Sequence, residues 1–316
     1  MKTTAYLHTF TSILILGLII LLVIQLKKRG LLKQEYGVLF SKLVTQVTLP
    51  ALIFDALAQS VLEWRYILLF FYMFLTEMLL LFIAWAVGKV LKLESGQMGT
   101  FLLVSAFGSS ALLGYALIVE LFPANTAALA EGTFVSELGV GLPLFTLGVM
   151  IAMHYGKAET ETHSSLHSAL LFFRSPIFIA IVLGLLWSFS PLGTKGIFIT
   201  PLFEATHIVA QANTFLVALT VGVLLNFTSI KNIIPIAASV IVIKLLLSPF
   251  LVYLPASIMG LESWQMQVLL LEAAMPSAML SVVLAKQYGC DAKLAAQLVF
   301  ITLFASLFTT ALMINL

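Results

Sequence analysis

The sequence predicts an all-α polytopic membrane protein with ten transmembrane helices, arranged as two inverted repeats of five helices each. Three observations lead to this fold class. Apolar residues make up 61% of the chain and charged residues 9%, whereas a soluble domain has about 45–50% and about 25%. Ten stretches are apolar over the length, about 20 residues, that a helix needs to cross a bilayer. The two halves of the chain also match one another at a constant offset.

The ten stretches follow one another with mostly short connections. They lie roughly at residues 9–26, 38–60, 64–90, 97–121, 127–153, 169–189, 201–226, 232–258, 264–287 and 293–315. The polar run at residues 154–168, which contains His154, His163 and His167, is typical of a solvated linker. It divides the chain into a first repeat at residues 1–153 and a second repeat at residues 169–316.

The distribution of lysine and arginine predicts the orientation of the chain. Twelve of these residues fall on one side of the predicted topology and three on the other. The side with the excess is expected to be cytoplasmic, so both termini are expected outside and the 154–168 linker inside. The net charge of +2 indicates no nucleic-acid partner. The single cysteine, Cys290, forms no metal motif, so neither a metal nor a cofactor is expected.

A shift of 168 residues aligns the two halves without a gap. Leu102-Leu103 then matches Leu270-Leu271, and Ser109 matches Ser277. Because five is an odd number of crossings, the second repeat would enter the membrane upside down. Many secondary transporters have this inverted-repeat design, with their binding sites near the bilayer midplane.

The fourth and ninth stretches contain residues that interrupt helices, at positions that the 168-residue offset relates. Gly108 and Gly114 lower the helix propensity of the fourth stretch, and Pro276 removes a backbone donor from the ninth. Freed backbone groups inside a membrane are tolerated where they line a wet cavity or bind a ligand. Small residues are also common where membrane helices simply pack together. We expect two broken helices that cross at a functional site.

Three motifs resemble the auxin efflux carrier family of the bile acid/sodium symporter-like superfamily. They are Leu49-Pro50-Ala51-Leu52-Ile53-Phe54, Ala106-Phe107-Gly108 through Gly114-Tyr115, and Ala273-Ala274-Met275-Pro276-Ser277-Ala278. The resemblance implies that helices 3–5 and 8–10 form a transport core, which moves against a scaffold of helices 1, 2, 6 and 7. It also implies small organic anions as substrates, bound beside the crossing of helices 4 and 9. The chain departs from the family pattern at Ser109, in place of Asn, and at Ala116, in place of Pro.

The expected substrate site combines the crossing with one lysine inside a helix: Gly108, Ser109, Ser110, Tyr115, Pro276, Ser277 and Lys244. A charge at the bilayer centre costs at least about 2.5–3.5 kcal/mol, so acids inside helices are site candidates. Three of them are expected to couple transport to a proton or a sodium ion: Asp55, Glu77 and Glu272. Glu77 and Lys244 are near repeat-mates of opposite charge. They either pair directly or reach the central cavity from opposite sides.

A polar stripe marks the seventh helix. His207 and Gln211 lie on one helical face, and Asn213 is nearby. Such a stripe lines a pathway or joins helices through hydrogen bonds, and both interpretations stay open.

Taken together, these features predict a secondary transporter of the plasma membrane, the inner membrane in a bacterium. It would move a small carboxylate across the lipid bilayer by alternating access, together with H⁺ or Na⁺. A cation/proton antiporter of the same architecture is the alternative, followed by a membrane sensor or an enzyme. No HExxH or GxSxG motif is present, and no enzymatic activity is expected. The sequence leaves open the substrate, the coupling ion, the direction of transport and the oligomeric state, for which a homodimer is one arrangement.

Overall fold

The computed structural model describes most of the chain. The described residues are 2–59, 64–110, 114, 118, 121–122, 125, 128, 131–132, 134–156, 174, 176–190, 193–225, 230–256 and 260–313. Within these ranges, six stretches are long and apolar enough to cross a membrane: Tyr36–Gln59, Leu68–Val90, Leu138–Tyr155, Ile199–Leu224, Ile233–Leu254 and Ala292–Thr310. The protein is therefore a helical polytopic membrane protein, as predicted. Ten crossings remain a prediction.

The helices of the first half are α1 (Lys2–Lys28), α2 (Tyr36–Gln59), α3 (Trp64–Val90), α4 (Ser95–Ala106) and α5 (residues 135–155). Those of the second half are α6 (Pro176–Ser188), α7 (Ile199–Leu224), α8 (residues 230–256), α9 (Ser263–Ala273), α10 (Leu280–Tyr288) and α11 (Ala292–Met313). Helices α9 and α10 are the two parts of the predicted ninth helix, and α11 corresponds to the predicted tenth.

Three of these helices contain π-helical turns, which the apolar pattern of the sequence does not predict. They lie in α2 at Val44–Thr48, in α5 at Val135–Gly141 and Leu144–Gly148, and in α8 at Ile241–Leu247. A π turn holds an extra residue, so it rotates the side chains that follow it. Such turns are frequent at functional sites.

The helices pack in two groups. Helix α2 packs against α6 and α7, and α1 packs against α7. Separately, α3 packs against α4 and α5, while α8 packs against α9 and α11. The two groups meet where α10 contacts α2 and α7, and where α11 contacts α1 and α7. Helices of the predicted scaffold thus contact one another, as do helices of the predicted core, but the division into two moving bodies remains a prediction.

Helices α4 and α9 begin with the same cap, 168 residues apart in sequence. The backbone N–H of Glu94 donates a 3.3 Å hydrogen bond to the side-chain oxygen of Gln97. The backbone N–H of Glu262 donates a 3.1 Å hydrogen bond to the side-chain oxygen of Gln265. In both caps the glutamate also lies at the positive end of the helix dipole, where an acid is favourable. The spacing equals the predicted repeat offset, whereas the inverted orientation of the second half remains a prediction.

Apolar side chains cover the outer faces of several helices. Leu18, Phe71, Leu186 and Ile208 are each more than half exposed. A soluble monomer rarely exposes so many large apolar groups. Lipid tails are a suitable environment for them, which agrees with the membrane-spanning lengths of the helices.

Candidate functional site

The predicted interruptions of helices 4 and 9 are confirmed. Helix α4 ends at Ala106, and Phe107 has an extended backbone, with φ −86° and ψ 133°. Helix α9 ends at Ala273 and α10 begins only at Leu280. Pro276 lies within this gap, where its lack of an N–H group prevents a continuous helix.

The two interrupted segments meet through main-chain hydrogen bonds. The N–H of Ser109 donates to the carbonyl of Pro276 at 2.7 Å, and the N–H of Ala278 donates to the carbonyl of Phe107 at 2.9 Å. Gly108 and Ser277 thereby form an isolated antiparallel bridge. Each interrupted segment thus provides hydrogen-bond partners for backbone groups of the other, as the interior of a membrane requires. The predicted contact of helices 4 and 9 near Gly108 is therefore confirmed.

Buried hydroxyl groups stabilise the ends of both interrupted helices. The Ser277 hydroxyl donates a 2.6 Å hydrogen bond to the carbonyl of Val104 in α4. The Ser248 hydroxyl of α8 donates a 3.0 Å hydrogen bond to the carbonyl of Ala273, the last residue of α9. Carbonyls at a helix C-terminus lack partners within their own helix, so these hydroxyls supply donors that the interruption removes.

A cavity of about 250 Å³ lies beside this meeting point. One wall comes from α5 and the two interrupted segments, and the other comes from α2 and α7. Its polar lining residues are Ser109, Ser110, Ser136, Asn213 and Thr214. Its other lining residues are Leu52, Ile53, Gly108, Val140, Gly141, Leu144, Phe145, Val217, Ala278, Met279 and Leu280. No ionisable side chain is among these lining residues.

Two hydrogen bonds organise the polar part of the cavity. The Ser136 hydroxyl donates to the Ser110 hydroxyl at 2.8 Å, which links α5 to the interrupted fourth helix. The Thr48 hydroxyl donates to the side-chain oxygen of Asn213 at 2.9 Å, which links α2 to α7. Polar groups in each wall are thus held in place by a partner from the same wall.

Lys244 is fully buried in the π turn of α8 and is not among the residues that line the cavity. Its Cε and Nζ atoms are each 3.0 Å from the position that a Cβ would occupy on Gly108. Gly108 lines the cavity whereas Lys244 does not. Gly108 therefore borders both the cavity and the lysine side chain.

Glu77, on α3, is also fully buried. Neither of its carboxylate oxygens has a hydrogen-bond partner in the part of the chain that the structure describes. Its carboxylate interacts electrostatically with Lys244, but the two groups form no hydrogen-bonded ion pair. The direct pair, one of the two arrangements left open by the sequence, is therefore not formed.

Glu272, in the last turn of α9, packs against two glycines. Its Oε1 lies 2.6 Å from the position that a Cβ would take on Gly114 and 3.6 Å from the equivalent position on Gly132. Lys244 interacts electrostatically with this carboxylate as well. The two glycines leave the space that a buried acid occupies here.

Asp55 belongs to a separate network that joins α2 to α7. Its carboxylate accepts a 2.6 Å hydrogen bond from Gln59 and lies 2.8 Å from Nδ1 of His207. Nε2 of His207 is 2.9 Å from the side-chain nitrogen of Gln211. A neutral imidazole with its proton on Nδ1 satisfies both contacts. The hydrogen bonds of Asp55 thus join α2 to the polar stripe of α7, and Asp55 is not part of the group of charged residues around Lys244.

The residues selected from the sequence fall into three places. Gly108, Ser109, Ser110 and Asn213 line the cavity. Five others are not among its lining residues: Pro276, Ser277, Lys244, Glu77 and Glu272. Asp55, His207 and Gln211 form the α2–α7 network, and Tyr115 lies outside the described residues.

Ser136 is a polar lining residue that sequence reasoning missed. A signal for it exists, because Gly132 and Ser136 are four residues apart. Small residues with this spacing indicate close helix contact in membranes, and here the contact is with Ser110.

A polytopic helical protein with a cavity beside two interrupted helices is the architecture of a membrane carrier. In agreement, the family model described as "membrane transport protein" matches residues 8–314. The chain belongs to this family, which is the auxin efflux carrier family that its motifs resemble.

Two archaeal relatives are described as uncharacterized transporters. One, from Methanocaldococcus jannaschii, is 26% identical over 288 residues, which cover 90% of each chain. The other, from Methanothermobacter thermautotrophicus, is 28% identical over 305 residues, which cover 95% of this chain and 94% of the relative. The similarity therefore extends over nearly the whole length of all three proteins.

Proposed function

We propose that this transporter is a secondary carrier of small organic anions that works by alternating access, coupled to H⁺ or Na⁺. The cavity beside the meeting of two main-chain breaks is the observation that carries this proposal. It lies between two groups of helices, so displacement of one group against the other would open it to one side of the membrane at a time. Helices α2 and α7 would belong to the static wall, and the two breaks to the moving wall.

The lining of the cavity supports an anion with an apolar body. Leu144, Phe145 and Met279 offer apolar surface. Hydroxyl groups of Ser110 and Ser136 would bind a carboxylate through hydrogen bonds. The ammonium group of Lys244 would attract it from behind Gly108, because a charge in a low-dielectric interior acts over several ångströms.

The remaining features of the proposal come from the sequence. The carrier would cross the plasma membrane ten times as a 5+5 inverted repeat, with both termini outside. Of its buried acids, Glu272 and Glu77 interact electrostatically with the Lys244 ammonium group and are the first candidates for ion coupling. Asp55 would contribute to coupling through the α2–α7 network.

A cation/proton antiporter is the alternative, and the buried acids Glu77 and Glu272 are the observation that favours it. In a cation exchanger, the cavity itself would need carboxylates to bind the transported cation. Here, however, its walls are mostly apolar and hold no ionisable side chain. The anion carrier therefore agrees better with the lining.

Transport into proteoliposomes tests the proposal. Purified protein would be assayed with a panel of labelled mono- and dicarboxylates, with imposed proton or sodium gradients. We expect saturable uptake of at least one carboxylate, reduced in Ser110→Ala and unchanged in Ser239→Ala, whose hydroxyl bonds within α8. Cation-driven proton movement without uptake of any carboxylate would instead identify an antiporter.

A further inference from the structure

We propose that the side chain of Lys244 is a built-in cation at the meeting of α4 and α9, so that the transport core functions without a bound sodium ion. This inference deepens the proposed function, because it concerns the ion that accompanies transport. It assigns Lys244 a place in the core rather than direct contact with a substrate.

Two negative helix ends converge at this place. The C-terminus of α4 is at Ala106 and that of α9 is at Ala273. The last carbonyls of a helix carry about half a negative charge in total. Hydrocarbon does not screen these charges as water would, so a positive group beside both ends is strongly stabilising.

Lys244 places its ammonium group at this point. Its Nζ is 3.0 Å, and the carbonyl oxygen of Met275 is 3.5 Å, from the same Cβ position on Gly108. The ammonium group and a carbonyl of the interrupted ninth helix thus share one face of Gly108. Lysine is almost never fully buried unless it is paired, which indicates that this environment compensates its charge.

Two acids complete an oxygen-rich surround. Glu77 approaches from α3 and Glu272 from α9, and both interact electrostatically with Lys244. Carboxylate and carbonyl oxygens are the ligands that hard metal cations prefer. The groups around Lys244 are therefore of the kind that would bind a metal cation, and the lysine ammonium group takes the place of that ion.

The local backbone is built to hold the lysine there. Lys244 lies within the π turn Ile241–Leu247, and each residue of a regular helix rotates the chain by about 100°. Deleting the extra residue would turn Lys244 away from Gly108. Residue 108 is a glycine, and a Cβ at this position would crowd the lysine side chain.

Thermal unfolding of the purified protein in detergent tests the inference without any substrate. The midpoint would be measured in sodium, potassium or choline chloride at equal ionic strength. Wild type and Lys42→Ala, which removes an exposed lysine of α2, should respond equally to all three salts. Lys244→Ala should gain a saturable rise in Tm with sodium, of about 5 °C at a sodium concentration near 100 times Kd.

Two results would overturn the inference. One is saturable stabilisation of the wild type by sodium, which would show that a sodium site already exists. The other is folded Lys244→Ala that responds alike to all three salts. If Lys244→Ala does not accumulate, adding Glu77→Gln removes the acid that is left behind, and the double variant is judged by the same two results. Because the measurement involves no transport, it is independent of whether a carboxylate is carried.

Discussion

The carboxylate of Glu272 fits against Gly114, with Oε1 2.6 Å from the position of a Cβ on that glycine. A methyl group at residue 114 would therefore displace a fully buried acid. The sequence predicts that Gly114 weakens the fourth helix, but its structural role is to make room for Glu272.

Gly114→Ala is expected to destabilise the protein by about 1–3 kcal/mol, because overpacking a dense interior forces side chains to shift. Denaturant or thermal unfolding in detergent would measure the loss. Gly96→Ala is the matched control in the first turn of α4, where the nearest atom would be the backbone nitrogen of Asp291 at 3.5 Å. Equal stability of the two variants would contradict the role of Gly114.

The hydrogen bond between Ser136 and Ser110 predicts coupled effects on substrate binding. A hydrogen bond contributes about 0.5–1.5 kcal/mol, so Ser136→Ala is expected to raise the KM for the carried anion by about 2- to 10-fold. Ser110→Ala should act similarly. The double variant should lose less than the sum, because the first substitution already breaks the bond. Strictly additive losses would show that the two hydroxyls act separately.

Glu77 and Lys244 interact without direct contact, and this predicts partial compensation. Removing one partner of a buried charge pair typically costs about 3–5 kcal/mol, because the other charge is left uncompensated. Glu77→Gln and Lys244→Met should each fall in this range. The double variant should be more stable than either single variant, yet less stable than wild type, because the ends of α4 and α9 also need the ammonium group. Thermal unfolding of the four proteins measures the cycle, and full recovery in the double variant would contradict this expectation.

Cys290 should resist alkylation in the folded protein. Burial, together with the neighbouring Asp291 carboxylate, raises the pKa of its thiol to about 12. At pH 8 an ordinary thiol with a pKa of about 8.5 is about one quarter thiolate, whereas Cys290 is thiolate in only about one molecule in ten thousand. The thiolate is the reactive form, so labelling by a maleimide should be more than about 100-fold slower than at an exposed cysteine.

The comparison for Cys290 is Lys42→Cys in a Cys290→Ala background, which places the only thiol on an exposed position of α2. Both proteins should label rapidly in sodium dodecyl sulfate. Equal labelling rates in the folded state would show that the Cys290 thiol is ionised and accessible.

The sequence predicted the interrupted helices and their meeting because Pro276 and the 168-residue offset are local features of the chain. The sequence contains a further local signal, for the starts of the two interrupted helices. Glu94-Ser95-Gly96-Gln97 and Glu262-Ser263-Trp264-Gln265 share the residues that form the two caps. They would have located the starts of α4 and α9, and would have strengthened the internal match.

Other features depend on packing in three dimensions. The spacing of Glu77 and Lys244 indicated proximity, but it did not predict the π turn of α8 that contains Lys244, because that turn has the same apolar composition as an ordinary helix. Similarly, nothing adjacent to Gly108 in sequence indicates that a lysine occupies the space beside it. Ser136 lines the cavity because α5 packs against the interrupted fourth helix.

The bridge at Gly108 and Ser277 relies on backbone atoms, namely N–H and carbonyl groups of Phe107, Ser109, Pro276 and Ala278. Side chains at residues 109 and 278 are therefore free to diverge without loosening the frame. Ser109, which stands where the auxin efflux carrier pattern has Asn, is one such divergence. Substitutions at these two positions would therefore change the groups that line the cavity while leaving the backbone hydrogen bonds that join the two interrupted helices intact.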